Sequence, residues 1–356
     1  MKKDIRNRII GIGAIAAACS ILIISGSLLR DKKTGITGSK ATGFSMGSVV
    51  TVTFYGEQKD AEEAAAEALE MIRILDEKLI SWRITDSELS RWNNEAAVGE
   101  EVSADEMLCE AVRKGILLHE KSGGALDLTI RPVLDLWGIE DKTPEEFSVP
   151  SAEELAEAKK KCGMDAIKVT DDRISRSREV KLDLGAVGKG YALDMVYDQM
   201  NIGSAAGIVS GGVLAVGGSV LVCGSKPDGS EFRIGIRDPE GLPDDILGYV
   251  TFPSGIRKMC ISTSGGYEKY IEKNGIRYHH IIDPDTLYPA DSGLKSVTVV
   301  CEDGLVSDGL STACFILGEE KAVKLLSGFD AEGIFIREDG SIFCTPGIEG
   351  QVVLEK

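Results

Sequence analysis

From residue 167 onward the chain is a run of short strand-like segments that helices interrupt only occasionally, and this limits its fold more than any other feature. Apolar and β-branched residues mark strands at 167–170, 180–184, 207–210, 232–236, 259–263, 277–282 and 297–301. "EGIFIREDGSIFC" closes the series as a hairpin turning at Asp339-Gly340. The first part reads differently. A strand at 48–56 precedes a helical pattern at 59–79, with Ala65, Leu69, Ile72, Leu75 and Leu79 on one stripe. Further helices are expected at 104–122, 151–161 and 305–317. Strands and helices do not alternate regularly, which favours an α+β fold over a doubly wound one. One large domain with a mostly antiparallel sheet and packed helices is therefore expected over 43–356, and no internal repeat is visible.

The N-terminus is set apart by charge. Lys2, Lys3, Arg6 and Arg8 precede a run from 9 to 29 without a charged residue. That length suits a membrane-spanning helix, and the basic flank predicts a cytoplasmic N-terminus with the remainder exported. Cleavage near Ser25–Ser27 or lipidation at Cys19 are the alternatives to an uncleaved signal-anchor over 1–29. Residues 30–42 are polar and carry glycine, as a linker would. The expected location is the cell membrane, with the domain extracytoplasmic. The net charge of −17 makes nucleic acid an improbable partner. The eight cysteines show no CxxC or Cys/His metal spacing, and most read as buried thiols.

Four stretches carry possible chemistry. "DLGAVGKGYALD" (183–194) reads as a strand ending at Asp183, then a glycine-rich turn and a helix starting near Lys189. Such a turn lets a backbone approach a phosphate, although a tight structural turn would use the same residues. "ISTSGGYEKY" (261–270) places small hydroxyl residues and glycines after a strand, suiting either a ligand loop or a polar turn. In "VSDGLSTACFILG" (306–318), Asp308, Ser311 and Thr312 share a helix face, and oxygen donors of that kind suit Mg²⁺. The competing reading is a polar first turn. "GGALDLTIRPVLDLWG" (123–138) alternates Asp127 and Thr129 with apolar residues, and these could simply pin a loop.

"RYHHIIDPDTLYPA" (277–290) holds two of the three histidines. On a strand, Ile276, Tyr278, His280 and Ile282 share one face and His279 points the other way. The cluster from Asp283 to Thr286 ends it in a turn.

Together these blocks resemble the FAD:protein FMN transferase (ApbE) family. The likeness runs from about Gly43 to Phe343 through "FSMGS", "LISWRITDSELSRWN", "ALDLT", "DLGAVGKGYALD", "ISTSG", "HHIIDPDTLYPA" and "SDGLSTACFILG", in order. The resemblance implies an α+β fold and an enzyme that uses Mg²⁺. Its reaction moves FMN from FAD to a Thr or Ser hydroxyl of a target protein and releases AMP. It implies an FAD site lined by Met46, Trp82, Ala125, Leu126, Asp127, Asp183, Lys189 and Ile282. It also implies a metal site of Asp308, Thr312, Ser311 and the Ala186 carbonyl, with His280 near the reacting phosphate. The implied partners are FAD and an exported or membrane-complex acceptor protein. Arg131 stands where the family often has Gly, and Gly266 where a polar residue is frequent; both would alter the pocket wall. A histidine with a near-neutral pKa suits the base that a hydroxyl nucleophile needs. An Mg²⁺-dependent FAD pyrophosphatase and a non-catalytic flavin-binding surface protein are the alternative readings.

Overall fold

In the computed structural model, which describes residues 36–203 and 207–355, the first two strands form a hairpin. β1 (Ile36–Ser45) and β2 (Ser48–Glu57) are joined by Met46 and Gly47 alone, with φ of 53° and 66°. Two consecutive left-handed residues are what a tight hairpin turn with the right twist requires. β1 takes in residues 36–42, which the sequence reads as linker. Gly38, Ser39, Lys40 and Thr42 suit an edge strand, where only one neighbour has to be paired. The apolar run at 9–29 and Cys19 lie outside the described residues. Among the described residues no helix is long and apolar enough to cross a membrane.

α1 (Gln58–Ile74) follows and continues into a π-helical turn at Leu75–Ile80. The α-helix buries Ala61, Ala64, Ala65, Ala68 and Ile72 and leaves Leu69 only partly covered; the wider turn after it changes the phase, so that Leu75 and Ile80 are buried while Leu79 is only partly covered. Next come α2 (Glu88–Glu95), β3 (Val102–Ser103), α3 (Glu106–Lys121), α4 (Arg131–Trp137) and α5 (Ala152–Lys159). β4 (Ile167–Thr170) and β5 (Arg173–Arg176) form a small sheet with β3. α6 (Gly188–Met200) leads to β6 (Gly211–Val216), β7 (Ser219–Gly224), β8 (Phe232–Arg237) and β9 (Ile246–Phe252). The chain then forms β10 (Ile256–Gly265), the hairpin β11 (Tyr270–Lys273) and β12 (Ile276–His279), and β13 (Leu294–Cys301). It ends with α7 (Gly304–Leu317), α8 (Glu319–Leu326), β14 (Glu332–Arg337), β15 (Ile342–Cys344), α9 (Pro346–Glu349) and β16 (Val352–Leu354).

Eight strands pair antiparallel in the order β1-β2-β6-β7-β10-β13-β14-β15, and β16-β9-β8 form a second sheet. The α+β expectation with a mostly antiparallel sheet holds. One face of the large sheet packs on the helices, and the other packs on the β16-β9-β8 sheet through residues such as Val213, Val222, Phe232 and Ile334. β6 and β7 are thus covered on both faces, which is why they read as unbroken apolar runs.

Three expected strands differ. Residues 180–184 are extended but join no ladder. The buried Asn93 side chain replaces the missing neighbour, donating to the Leu182 carbonyl (2.8 Å) and accepting from the Leu182 amide (2.8 Å). Residues 207–210 lie before β6, which starts at Gly211. β12 stops at His279, where the chain turns to form an isolated bridge between Ile282 and Pro289. Among the described residues the cysteines are unpaired, and all but Cys344 are buried.

Candidate active site

A cleft of about 240 Å³ opens beside the helical face of the large sheet. The β1–β2 turn, the π-helical turn, the loop before α4, the start of α6, the end of β10 and the segment after β12 all reach it. Met46, Trp82, Ala125, Leu126, Asp127, Asp183, Ala186, Lys189, His280, Ile282 and Thr312 line it. Asp308 and Ser311 do not; they lie buried directly beneath, on the turns of α7 that precede Thr312.

Local chemistry places each group. Met46 is held by Asp76, whose carboxylate accepts from the Met46 amide (2.7 Å) and the Ser45 hydroxyl (3.0 Å). His119 donates from Nδ1 to the Leu126 carbonyl (2.7 Å), fixing the loop of Ala125, Leu126 and Asp127. Asp127 does pin that loop: its Oδ1 accepts from the Thr129 amide (2.8 Å) and hydroxyl (2.5 Å). The Asp183 amide donates to the Leu128 carbonyl (2.7 Å), so the two aspartate segments run side by side.

Asp183 is buried, and burial raises its pKa; the Gly185 amide (2.8 Å) and Arg131 (3.6 Å) act against that rise. Arg131 also lies 3.5 Å from the centre of the Trp82 ring, with Arg83 4.6 Å away from it. The residue that departs from the family pattern therefore forms part of the cleft wall. Gly266 has a local reason too, since a Cβ there would stand 2.9 Å from the His279 ring.

The helices α6 and α7 cross at two glycines. A Cβ on Gly190 would lie 1.9 Å from the Gly304 carbonyl oxygen, so only glycine permits this approach. The contact lets the Gly190 amide donate to Asp308 Oδ2 (3.0 Å). Asp308 Oδ1 accepts from Ser219 (3.0 Å) and faces the Lys189 ammonium at 3.4 Å. Asp194, one turn further along α6, accepts from the Gly304 (2.7 Å) and Leu305 (3.1 Å) amides and pairs with Lys258 (2.7 Å). It thereby satisfies the first turn of α7. Ser311 donates to the Asp308 carbonyl (2.8 Å), and Ser264 lies 2.8 Å from Ser311 and 3.3 Å from Thr312.

These donors fit a hard divalent cation. They are all oxygens, one is an ionisable carboxylate, and that carboxylate already faces a cationic ammonium. Among the described residues no cluster of three His, Cys, Asp or Glu side chains could hold a metal, so a softer or more highly charged site is not built here.

The two histidines adopt opposite tautomers. His279 Nε2 lies 3.0 Å from the Ala290 carbonyl, which can only accept, so Nε2 carries the proton. Its Nδ1 accepts from the Ile281 amide (3.3 Å), and the ring packs edge-on against Phe315. His280 Nδ1 faces the Lys269 carbonyl (3.2 Å) and is the protonated nitrogen, which leaves the Nε2 lone pair of a cleft-lining ring. Its pKa is not near neutral as the sequence suggested. Burial first, and then the Lys269 cation, push it well below the usual imidazole value, with Glu140 opposing. Trp137 anchors this region, donating to the Leu287 carbonyl (2.8 Å) and packing with Tyr278 and Ile282.

Sequence reasoning missed several cleft groups. Glu140 binds Lys269 (2.6 Å) and Arg83, and its pKa drops to about 2; burial opposes that fall, and Lys269 is the largest cause of it. Glu268 is half-buried against the cleft, and desolvation there raises its pKa. Asp76 was missed as well. Glu140 and Glu268 lie in turns without periodicity, and Asp76 is a polar position of the helical stretch at 59–79, so only the fold brings them together.

Known proteins share this fold and much of this sequence. A chain from Haemophilus influenzae, an FAD:protein FMN transferase, is 33% identical over 80% of this chain and 82% of its own. A Treponema pallidum protein of the same name is 29% identical, with 86% of each chain covered. The crystal structure of the ApbE protein of Thermotoga maritima superposes with a TM-score of 0.76 at 30% identity, covering 88% of this chain and 99% of the other. The apo flavinyl transferase ApbE of Pseudomonas stutzeri gives 0.74 at 31% identity, covering 89% and 97%. A model of the ApbE family matches residues 46–335, from the turn at the mouth of the cleft to the far side of the sheet, and the chain belongs to that family.

Proposed function

We propose that this chain transfers FMN from FAD to a Thr or Ser hydroxyl of a target protein, releasing AMP, with Mg²⁺ bound. The observation that carries the reading is His280: an imidazole with an unprotonated Nε2 lining the same cleft as Lys189 and Thr312. Flavin capture alone has no need of such a base. The acceptor hydroxyl oxygen bonds to the FMN phosphorus, and its proton passes to His280 Nε2. The bond from that phosphorus to the bridging oxygen breaks, and AMP leaves with the oxygen. Asp308, Thr312, Ser311 and the Ala186 carbonyl would hold Mg²⁺, which neutralises charge on the phosphates when bound. Lys189 places a further positive charge at the N-terminus of α6. Met46, Trp82, Ala125, Leu126, Asp127, Asp183 and Ile282 line the remainder of the FAD site.

The apolar run at 9–29 supports a membrane-anchored protein whose domain is extracytoplasmic and meets acceptors of the cell envelope. The test is to incubate the full chain with FAD, Mg²⁺ and an envelope fraction. An FMN-sized mass gain on an acceptor, dependent on the metal, supports the transferase. Rapid release of free FMN and AMP with no covalent flavin would make the chain an FAD pyrophosphatase instead.

A further inference from the structure

His280 is oriented by a neighbour's main chain rather than by a carboxylate. Its backbone amide (3.1 Å) and its Nδ1–H (3.2 Å) both point at the Lys269 carbonyl. Lys269 directly precedes the β11–β12 ladder, and the His280 amide bond to its carbonyl extends that hairpin by one position. The Lys269 side chain is held as well, from outside the hairpin: its ammonium sits 2.6 Å from Glu140 Oε1. Glu140 follows α4, and its other oxygen accepts from Arg83, next to Trp82. One carboxylate thus joins three loops around the cleft.

We propose that Glu140 is a positioning residue for His280: it grips Lys269, whose main-chain carbonyl fixes the imidazole tautomer, and ties that loop to Arg83. The role of Glu140 in transfer rests on His280 acting as the base. The charged and titratable neighbours of the imidazole are Lys269, Glu140 and His279, and Arg83 acts on it through Glu140. Lys189, Asp183 and Glu268 share the cleft. Lys269 disfavours the protonated ring and Glu140 favours it, so removing either charge displaces the titration in opposite senses.

The chain has three histidines, so the full-length protein labelled with ¹⁵N-histidine gives three resolvable imidazoles, assigned with H119N, H279N and H280N. At neutral pH His280 should show protonated Nδ1 and bare Nε2, with His279 reversed. Glu140→Gln should keep that pattern, because a carboxamide oxygen still accepts from Lys269. Glu140→Ala should draw the two His280 nitrogen shifts together as the tautomers mix. In kcat against pH, Glu140→Gln should move the acid limb down and Lys269→Gln should move it up, each by roughly half a pH unit. Loss of packing alone would not move the two limbs apart. A wild-type tautomer pattern in Glu140→Ala, or limbs moving the same way, overturns the proposal. If the wild type flavinylates nothing, the transferase reading fails, while the tautomer spectra still decide the role of Glu140. If Glu140→Ala does not fold, the Gln variants decide it.

Discussion

Replacing Gly190 by alanine tests the helix crossing on which the geometry of the proposed metal site depends. The new Cβ would lie 1.9 Å from the Gly304 carbonyl oxygen and 2.9 Å from Asp308 Cβ. Ordinary contact starts near 3.4 Å, so α6 and α7 must part by about 1.5 Å at this point. Neither obstacle is the tip of a flexible side chain. The 3.0 Å bond from the Gly190 amide to Asp308 then opens beyond hydrogen-bonding range. Overpacking costs about 1–3 kcal/mol, and a lost bond to a charged group costs about 1.5–3 kcal/mol. The better helix propensity of alanine returns up to about 1 kcal/mol. The net expectation is a destabilisation of about 1.5–5 kcal/mol in urea unfolding. Because the shift falls between Lys189 and Asp308, kcat should also drop by roughly 10²-fold in the protein that remains folded. A variant within about 0.5 kcal/mol of wild type that keeps full turnover would refute the rigid crossing.

Four further outcomes follow from named contacts. His280→Asn should lower turnover by roughly 10²-fold, whereas His279→Asn, losing two structural bonds, should lower thermal stability more than kcat; equal losses of kcat at both positions would contradict the tautomer assignment. Asn93→Ala should cost about 2–4 kcal/mol, because the amide and carbonyl of Leu182 both lose their partner, and a urea midpoint close to wild type would count against it. His279 and His280 both have folded pKa values below the ordinary 6.5, burial being the first cause. The unfolded chain therefore binds more protons below about pH 6.5, and stability falls as pH drops through that value. Comparing Tm at about pH 7.5 and about pH 5, the H279N/H280N double variant should show a smaller drop than wild type. Asp308→Asn should abolish Mg²⁺-dependent turnover while metal-free FAD binding, followed by flavin fluorescence, is kept or strengthened.

What could be read in the sequence follows from what repeats along it. β2, β8 and α7 carry a clear period, and these, with β10 and β13, formed close to their expected limits. Residues 180–184 carry the same apolar pattern but stand alone, because their partner is the Asn93 side chain and no period records a side chain standing in for a strand. The π-helical turn likewise left no trace in composition, although it decides that Ile80 rather than Leu79 is buried. At the site, short blocks of unusual residues marked Asp127, Asp183, Lys189, His280 and Thr312. Arg83, Glu140 and Lys269 belong to separate loops, and each alone looks like an ordinary surface charge. Their meaning lies in one shared carboxylate, which only the fold assembles.

The charges of the cleft explain why an acidic chain of net −17 can handle a pyrophosphate, and why it would need a metal to do so. Each cation in the wall already faces a carboxylate: Lys189 faces Asp308, Arg131 faces Asp183 and Asp135, and Arg83 and Lys269 share Glu140. With Asp76, Asp127, Asp141 and Glu268 also in the lining, carboxyl groups outnumber cations before FAD enters, and the pocket offers a dianion little net attraction. A divalent cation held by Asp308 would change this in two ways: it would supply positive charge beyond what one carboxylate cancels, and it would compete with Lys189 for that carboxylate, so that the ammonium could serve the phosphates. Aspartate at 308 thus keeps Lys189 occupied when the metal is absent, and that is the physical reason why Asp308→Asn should bind FAD without metal at least as well as wild type and yet lose turnover.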